Sequence, residues 1–358
     1  MDANEGRSRG ARLRIGVAGA GLIGRRHVEL VRASREATLV AIAEPAPHGA
    51  DLAQSLGVPC FASLPDLLGA VAVDAAIVAT PNASHVADGL ACVERGVPAL
   101  IEKPIADTVE DAGRLVAAAE RSHVPLLVGH HRRHSPLLQA ARALVADDVL
   151  GPLVAVTGSA LFRKPDRYFA EGPWRAQPGG GPLLINMIHE VDDLRMLCGD
   201  IVEVQAMASS ARRGFAVEDT AAIALRFASG ALGSFVLSDS AASQKSWEQT
   251  SAENPVYAHC ADEDCYLLAG TRGSLGVPTM RLRTYAGEAS WTAAYETRIV
   301  EVVRADPLVR QLAHFCAVVR GKAQPIASAR DALATLRVTL AIADAARRGE
   351  RVVLRCEA

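Results

Sequence analysis

The sequence predicts an α/β protein with two domains: a doubly wound parallel sheet, then an α+β domain whose open sheet is mostly antiparallel. Between residues 13 and 131, about six apolar strand-like blocks alternate with helical blocks, which predicts a parallel sheet with crossover helices. After His134 a long helix leads to strand-like blocks that follow one another directly, such as LVAVTGSALF and TAAIALRFAS. Consecutive strands without intervening helices favour antiparallel pairing.

Composition limits the possible classes of function. The chain has 358 residues, of which 50% are hydrophobic and 22% are charged, enough to bury a large core. A formal net charge of -2 disfavours nucleic acid as a partner, because a phosphate backbone requires a basic surface. No apolar run approaches the roughly 20 residues that span a bilayer, and the first residues lack the apolar segment of a signal peptide. We therefore expect no membrane association and a cytoplasmic location. The seven cysteines form no CxxC pair, so we expect reduced thiols and no metal site.

A glycine-rich string, GAGLIG at residues 19–24, follows the first predicted strand and opens a helix. In that context the backbone turns tightly and a pyrophosphate can approach the amides at the helix N-terminus, as in a Rossmann dinucleotide site. A strand-turn-helix without a ligand is the alternative, because glycine is common in this chain, at 29 residues. The residues of this loop that we assign to the cofactor site are Gly19, Gly21, Leu22, Ile23 and Gly24.

Glu44 lies at the end of the second predicted strand, twenty residues after Gly24. A carboxylate at this position accepts hydrogen bonds from the adenosine ribose hydroxyls and repels a 2'-phosphate. No arginine or serine follows in Pro45-Ala46-Pro47 that would favour the phosphate. The sequence therefore predicts NAD in preference to NADP as the cofactor.

Two further strand ends carry polar residues that would face the dinucleotide crevice. The fourth strand ends at Thr80-Pro81-Asn82, followed by His85, and a plain proline turn is the alternative interpretation. The next strand ends at Glu102-Lys103-Pro104. Only four lysines occur in a chain rich in arginine, and lysine can transfer a proton where arginine cannot, so Lys103 is a catalytic candidate. An exposed strand-end lysine is the alternative. The residues assigned here to the cofactor site are Thr80, Pro81, Asn82, His85, Glu102 and Lys103.

A helix predicted to begin near Leu183, after Gly179-Gly180-Gly181, carries the second catalytic candidate. With 3.6 residues per turn, Ile185, His189 and Asp192 share one face, so an imidazole and a carboxylate can point together into a cleft. Histidine is the natural proton acceptor near neutral pH. A core histidine beside apolar neighbours is the alternative.

In this order and spacing, the motifs GAGLIGRRH, ATPNASH, EKP and GGGP followed by HEVD resemble the glucose-fructose oxidoreductase and inositol dehydrogenase family, Gfo/Idh/MocA. The resemblance extends from about Leu13 to the C-terminus. It implies an active site between the two domains and NAD(P)-dependent oxidation of a secondary alcohol on a sugar or cyclitol. It also implies that Lys103 and His189 match the family's lysine and histidine, and that Asp192 matches a carboxylate that contacts substrate. Ile185 departs from inositol dehydrogenase-like members, which have an aspartate there.

The resulting assignments cover the whole chain. Residues 1–12 form a flexible tail, 13–131 an NAD-binding Rossmann domain, and 132–358 a substrate and oligomerisation domain with C-terminal helices that can pack back on the first domain. The resemblance implies a homodimer or homotetramer through the open sheet face. The residues assigned to binding a small hydroxylated substrate are Asn186, Asp192, Tyr168, Arg175, Trp174, Arg132 and Lys164, and Tyr168 is an alternative acid or base.

The leading hypothesis is an NAD-dependent dehydrogenase for a sugar, sugar acid or cyclitol, in which His189 takes the hydroxyl proton and Lys103 stabilises the developing alkoxide. One alternative retains NAD and oxidises a glycoside transiently, or accepts a non-sugar alcohol or diol. Another is a sensor or scaffold that binds NAD without turnover. Accumulation of NADH in solution distinguishes the first two, and cofactor binding without activity favours the third.

Overall fold

The computed structural model describes residues 11–354, so most of the predicted tail lies outside the described residues. The described chain forms two compact units. The first comprises residues 11–130 and 308–334, and the second comprises residues 131–307 and 335–354.

The first unit contains the parallel sheet that the sequence predicts. Its strand order is β3-β2-β1-β4-β5-β6, and every neighbouring pair is parallel. The order reverses between β1 and β4, which opens a crevice at the carboxyl ends of the strands, the usual ligand position in such sheets. The strands are β1 (Leu13–Ala18), β2 (Ala37–Ala43), β3 (Cys60–Phe61), β4 (Ala75–Val78), β5 (Ala99–Ile101) and β6 (Leu126–Val128).

The crossover helices of the first unit follow from local sequence signals. Proline opens α2 and α3, and the hydroxyls of Ser63 and Thr108 accept hydrogen bonds from amides in the first turns of α3 and α5. Such caps satisfy backbone donors that a helix start leaves without partners. The helices are α1 (Leu22–Ala33), α2 (Pro47–Leu56), α3 (Leu64–Ala70), α4 (His85–Glu94) and α5 (Val109–Ser122), with a 3-10 turn at Asn82–Ser84.

The second unit contains an open, mostly antiparallel sheet, as predicted. Its order is β14-β13-β12-β11-β7-β10-β9-β8-β15, and β7 and β10 form a parallel pair in its centre. The strands are β7 (Leu153–Leu161), β8 (Ile201–Ser209), β9 (Thr220–Phe227), β10 (Leu232–Ser238), β11 (Tyr266–Gly270), β12 (Gly273–Val277), β13 (Arg281–Tyr285), β14 (Tyr295–Ile299) and β15 (Val352–Val353).

Four strands of the second sheet differ from the sequence-based expectation. The sequence of residues 264–275, DCYLLAGTRGSL, suggests one continuous strand, but it is a hairpin in which β11 and β12 pair on either side of Thr271 and Arg272. The edge strands β14 and β15 were not predicted. All five residues of β14 are exposed, so neither face of this edge strand is buried.

One face of the second sheet packs against helices. In β9, residues 221, 223, 225 and 227 are buried while those between them are more exposed, the period of two that a one-sided sheet requires. The buried face joins the apolar residues of α6 and α8 in one core. The helices before the C-terminal segment are α6 (Pro136–Ala146), α7 (Asp166–Ala170), α8 (Ile188–Cys198) and α9 (Trp247–Thr250).

Two helices complete the described chain, α10 (Pro307–Val319) and α11 (Ala329–Arg348). Leu312 and Phe315 of α10 are buried with apolar residues of β1 and α1 in the core of the first unit. Val338 and Ile342 of α11 lie in the core of the second unit. Across residues 11–354, no helix combines the length and apolar character needed to cross a membrane.

Candidate functional site

The glycine loop of the first unit combines two crowded positions with one open position. Gly19 has φ +89°, and a Cβ added there would lie 2.2 Å from the carbonyl oxygen of Ala79. A Cβ on Gly24 would lie 2.1 Å from the carbonyl oxygen of Gly19, so the start of α1 packs directly on the loop. A Cβ on Gly21 meets nothing within 4 Å. The loop therefore presents free space at the N-terminus of α1, where a pyrophosphate is stabilised by amides and the helix dipole.

Glu44, at the end of β2, holds this loop in place. Its Oε2 accepts a hydrogen bond from the amide of Ala20 at 2.8 Å, and its Oε1 accepts one from the amide of Ala46 at 3.1 Å. His48 Nε2 lies 3.7 Å from Oε2. A carboxylate has about four lone-pair sites, so these bonds leave acceptor capacity. The contact with the ribose hydroxyls stays a prediction. The structure also shows that Glu44 shapes the loop through its bond to the amide of Ala20.

The turn after β4 is held by two side chains of α4. The hydroxyl of Thr80 donates to Asp88 Oδ2 at 2.7 Å, and burial raises the pKa of the Asp88 carboxyl. The ring of His85 lies between two carbonyl oxygens, with Nδ1 2.7 Å from Pro104 and Nε2 2.8 Å from Thr80. His85 is buried, and its two contacts link the end of β4 to the turn after β5. The sequence predicts that His85 belongs to the cofactor site.

The Glu102-Lys103-Pro104 turn is anchored from α1. Glu102 is buried, and its Oε1 lies 2.8 Å from Nε2 of the buried His27. Its Oε2 accepts the amide of Lys103 at 3.2 Å. A Cβ on Gly129 would lie 2.8 Å from the Glu102 carboxyl, so this glycine makes room for it. Glu102 therefore fixes the backbone from which the partly exposed Lys103 projects.

In the second unit, the helix that carries His189 begins irregularly. Leu183–Met187 forms a π-helix and α8 starts at Ile188. The α-helical spacing used to align Ile185 with His189 does not apply there, because a π-helix bonds residue i to i+5, a feature frequent at functional sites. The His189 ring is partly exposed and packs edge-on against the ring of His131, with centroids 5.3 Å apart.

Five of the predicted substrate residues lie together in the second unit, and we call them the Lys164 cluster: Lys164, Tyr168, Trp174, Arg175 and Asn186. Lys164 Nζ donates to Asn186 Oδ1 at 2.6 Å and lies 4.8 Å from the centroid of the Tyr168 ring. The Arg175 guanidinium lies over the same ring at 3.9 Å, and 5.7 Å from the ring of Trp174. Trp174 is 53% exposed. Hydrogen-bond donors and aromatic faces are combined here, as in sites that bind polar ligands.

The glycine triplet before the π-helix allows close backbone packing. A Cβ on Gly180 would lie 2.6 Å from the carbonyl oxygen of Arg175. Gly181 has φ +78°, and a Cβ there would lie 2.6 Å from Glu218 Oε1. That oxygen accepts the amide of Leu183 at 2.8 Å, and burial raises the pKa of Glu218. Glu218 therefore caps the π-helix and fixes the start of the segment that leads to His189.

Asp192 lies elsewhere than the sequence suggested. Its carboxylate is buried and pairs with Arg133 through two bonds, Nε to Oδ2 at 2.7 Å and Nη2 to Oδ1 at 2.8 Å. Oδ1 also accepts the hydroxyl of Thr335 at 2.8 Å. This corrects the expectation that Asp192 and His189 point together into a cleft, because Asp192 faces a buried cation while His189 is partly exposed. The burial of Asp192 argues against its predicted contact with substrate.

Arg132 is likewise absent from the Lys164 cluster. It is buried, and its Nη1 donates to Glu190 at 2.8 Å and to Asp193 at 3.1 Å. The hydroxyl of Tyr266 also bonds to both carboxylates. Burial raises the pKa of Asp193 well above its ordinary value despite the attraction of Arg132. Arg132 therefore neutralises a buried acidic cluster, and its predicted contact with substrate is opposed by the same burial.

Sequence reasoning missed the residues that position the predicted ones. His27 supports Glu102, Asp88 orients Thr80, and Glu218 caps the π-helix. His27 had a detectable signal, since it is a polar residue beside Val28 on the apolar face of α1. Within residues 11–354, no group of three or more His, Cys, Asp or Glu residues is arranged to hold a metal ion. The six described cysteines are free thiols, and Cys356 lies outside the described residues.

Two protein-family models match the chain. The model described as "Oxidoreductase family, NAD-binding Rossmann fold" matches residues 13–130, which include the glycine loop, Glu44 and Lys103. The model described as "GFO/IDH/MocA C-terminal domain" matches residues 138–276, which include the Lys164 cluster and His189.

Known proteins resemble the chain over nearly its whole length. It is 30% identical to a 1,5-anhydro-D-fructose reductase of Ensifer adhaerens, over 94% of this chain and 97% of the relative. It is 28% identical to a D-apiose dehydrogenase of Paraburkholderia graminis, over 96% of this chain and 90% of the relative. The crystal structure of the WlbA dehydrogenase from Bordetella pertussis, in complex with NADH and UDP-GlcNAcA, matches with a TM-score of 0.78 at 25% identity, covering 97% of this chain and 100% of that one.

Proposed function

Because the chain belongs to the Gfo/Idh/MocA oxidoreductase family, we propose that it transfers a hydride between NAD and a secondary alcohol of a sugar, sugar acid or cyclitol. Membership confirms the resemblance and the class of enzyme predicted from the sequence. The observation that carries the proposal is the glycine loop, in which Gly19 and Gly24 are crowded by backbone while Gly21 faces open space at a helix N-terminus.

The choice of NAD over NADP is supported by the surroundings of Glu44. Its carboxylate lies beside the glycine loop and is bonded to the amide of Ala20, so a 2'-phosphate brought there would meet a negative charge. His48 is the one basic side chain within 4 Å of Glu44 among the described residues. We expect Glu44→Gln to narrow the difference between the NAD and NADP Michaelis constants.

The chemistry assigns one role to each catalytic candidate. When bound, NAD supplies the nicotinamide that accepts or gives the hydride. His189 takes the proton of the substrate hydroxyl, since its ring is partly exposed and imidazole accepts protons near neutral pH. Lys103 stabilises the negative oxygen that results, from a backbone position that Glu102 fixes. Lys164 and Asn186, which bond to each other, bind other hydroxyls of the substrate.

The substrate class is supported by proteins similar to this chain. The two relatives compared above carry names that describe a sugar reductase and a sugar dehydrogenase, and the WlbA dehydrogenase was solved with a nucleotide-linked sugar acid. The Lys164 cluster presents donors and aromatic faces that suit a polyhydroxylated ring.

A substrate screen with site variants tests the proposal. Polyols, sugars and sugar acids are incubated with NAD or NADP, and reduction is followed by nicotinamide absorbance. With the best substrate, we expect His189→Ala and Lys103→Ala each to lower kcat by about 10²–10⁴-fold while NAD binding is retained. The exposed residues of the same types provide controls, His259→Ala and Lys322→Ala, which should keep wild-type turnover.

The outcomes separate the alternatives. Near wild-type turnover in both variants with NAD bound contradicts the assigned roles. Product formed without accumulation of NADH identifies a retained cofactor. Binding of NAD with no turnover of any alcohol identifies a sensor or scaffold.

We also propose a homodimer or homotetramer that forms in the cytoplasm through the outer face of the second sheet. Large apolar residues on this face are exposed in the single chain, and patches of this kind mark interfaces. These residues, 39–74% exposed, are Met207, Leu232, Val236 and Leu267. Met207→Glu combined with Val236→Glu should reduce the mass measured by light scattering to that of one chain. An unchanged mass contradicts this interface.

A further inference from the structure

A cavity of about 410 Å³ in the second unit has no role in the proposed chemistry. It lies where the end of β7, the connection from β8 to β9 and the segment after β10 meet. The residues that line it are Arg163, Asp166, Arg212, Arg213, Phe215 and Ser240. Three of the six are arginines and one is acidic, so the lining carries an excess of positive charge wherever neighbouring groups do not compensate it.

The backbone that carries the arginines is fixed by a buried carboxylate. Asp219 is 2% exposed, and its Oδ2 accepts the amides of Arg212 and Arg213, each at 2.9 Å. Elsewhere in the lining, the backbone of Arg163 forms a β-bridge with Ser240. The backbone from which these arginine side chains project is therefore fixed by hydrogen bonds.

Arg213 is compensated by its own surroundings. Its Nε donates to Asp239 at 2.9 Å, its Nη2 donates to the carbonyl of Lys164 at 2.8 Å, and its Nη1 lies 3.5 Å from Asp166. Asp239 also faces Lys164 Nζ at 3.8 Å. These charges offset one another, so Arg213 serves mainly as a wall of the cavity and as a link to Lys164.

Arg163 and Arg212 are not compensated. Both side chains belong to exposed residues, and within residues 11–354 neither guanidinium has a hydrogen bond or an ion pair with the protein. Two uncompensated guanidiniums that line one cavity can hold an anion, because guanidinium pairs with carboxylate and phosphate through paired N–H bonds. Phe215, which contacts Phe169 with ring centroids 4.9 Å apart, supplies an apolar wall for a carbon skeleton.

We propose that this cavity binds an oxyanion group, a carboxylate or a phosphate, carried by the molecule on which the enzyme acts. The cavity adjoins the Lys164 cluster, since Arg213 bonds to the carbonyl of Lys164 and Lys164 bonds to Asn186. Identifying the bound molecule as the substrate rests on the proposed function, whereas binding of the anion does not. The substrate is thereby narrowed to a polyhydroxylated compound with a negative charge.

Calorimetric titration of the full chain in the presence of NAD tests the cavity directly. The probes are D-glucuronate, D-glucose 6-phosphate and neutral D-glucose. We expect at least one anion to bind at least roughly tenfold more tightly than glucose, and the preferred one to identify carboxylate or phosphate as the natural group. Arg163→Gln combined with Arg212→Gln should remove this advantage.

Two matched variants sharpen the result. Arg167→Gln removes one positive charge from an exposed residue of α7 outside the cavity lining and should leave anion affinity unchanged. Asp166→Asn removes the carboxylate of the lining, on a side chain that is 92% exposed, and should increase anion affinity. An unchanged affinity in Arg167→Gln, beside the loss in the double arginine variant, distinguishes a cavity effect from a general loss of positive charge.

Two results would overturn the proposal. One is equal binding of glucose and both anions by the wild type. The other is an anion affinity in the double arginine variant that matches that of Arg167→Gln. Anion binding by a chain that reduces no NAD with any alcohol contradicts the proposed function and leaves the cavity assignment standing.

Discussion

The two units prepare their predicted binding residues by different physical means. In the first unit, close backbone approach at Gly19 and Gly24 and the bond from Glu44 shape a loop whose ligand-facing groups are main-chain amides. In the second unit, side-chain charges do this work: Lys164 bonds to Asn186, and Asp192, on the helix that carries His189, is held by the buried Arg133. The glycine loop needs only close packing of backbone around it, whereas a buried charge needs one particular side chain of opposite charge.

This difference has an energetic consequence. A glycine that is replaced in the first unit introduces overlap that nearby backbone can partly relieve. A charge that is removed in the second unit leaves its partner buried in a low-dielectric interior, which costs more. The largest losses of stability are therefore expected in the second unit.

The largest expected effect comes from Asp192→Asn. The substitution keeps the side-chain volume but leaves the buried Arg133 guanidinium without its carboxylate, which should lower the free energy of unfolding by about 3–5 kcal/mol. Urea denaturation measures this change, with the exposed Asp147→Asn as the control. A loss below about 1 kcal/mol would mean that this pair behaves as a surface salt bridge.

The next effect concerns pH and Glu253. Burial raises the pKa of Glu253 to about 7, although Ser135 donates to its Oε1 at 2.6 Å. Between pH 4.5 and 7 the folded chain holds this proton and the unfolded chain does not, so the free energy of unfolding falls as pH rises. The wild type should lose about 3 kcal/mol relative to Glu253→Gln over this range.

Thermal or urea unfolding of both proteins at each pH provides the measurement. Taking the difference between them removes the contribution of every other titrating group. Parallel stability curves would show that Glu253 titrates alike in the folded and unfolded chains.

The smallest effects come from a matched pair in the glycine loop. Gly24→Ala places a Cβ 2.1 Å from the carbonyl of Gly19 and should cost about 1–3 kcal/mol of stability without cofactor. Gly21→Ala meets no atom within 4 Å and should change that stability by less than about 0.5 kcal/mol. The Gly21 variant should nonetheless bind NAD more weakly, as measured by calorimetry, because the Cβ enters the space open to the ligand. Equal stability of the two variants would contradict the packing of α1 on the loop.

How far the sequence predicts the site depends on the range of the interactions involved. The parallel sheet, the loop at Gly19–Gly24 and the helix that carries His189 follow from patterns within short segments. The π-helix at Leu183–Met187 escaped prediction, because its cap, Glu218, comes from a segment more than thirty residues away. The exposed edge strand β14 also escaped prediction, because it is only five residues long and none of its residues is buried.

Sequence alone determined the two-domain α/β architecture, the family and the position of the glycine loop, because each depends on hydrophobic periodicity and on motifs within short segments. Tertiary structure decided which charged residues are available to bind a ligand. It buried Asp192 against Arg133 and Arg132 against Glu190 and Asp193, and it left Arg163 and Arg212 uncompensated beside one cavity. The physical reason is that a charged side chain is available to a ligand only if no other side chain of the protein pairs with it. The partners of the buried charges lie about 50 to 60 residues away in the chain, and Arg163 and Arg212 have none within the described residues.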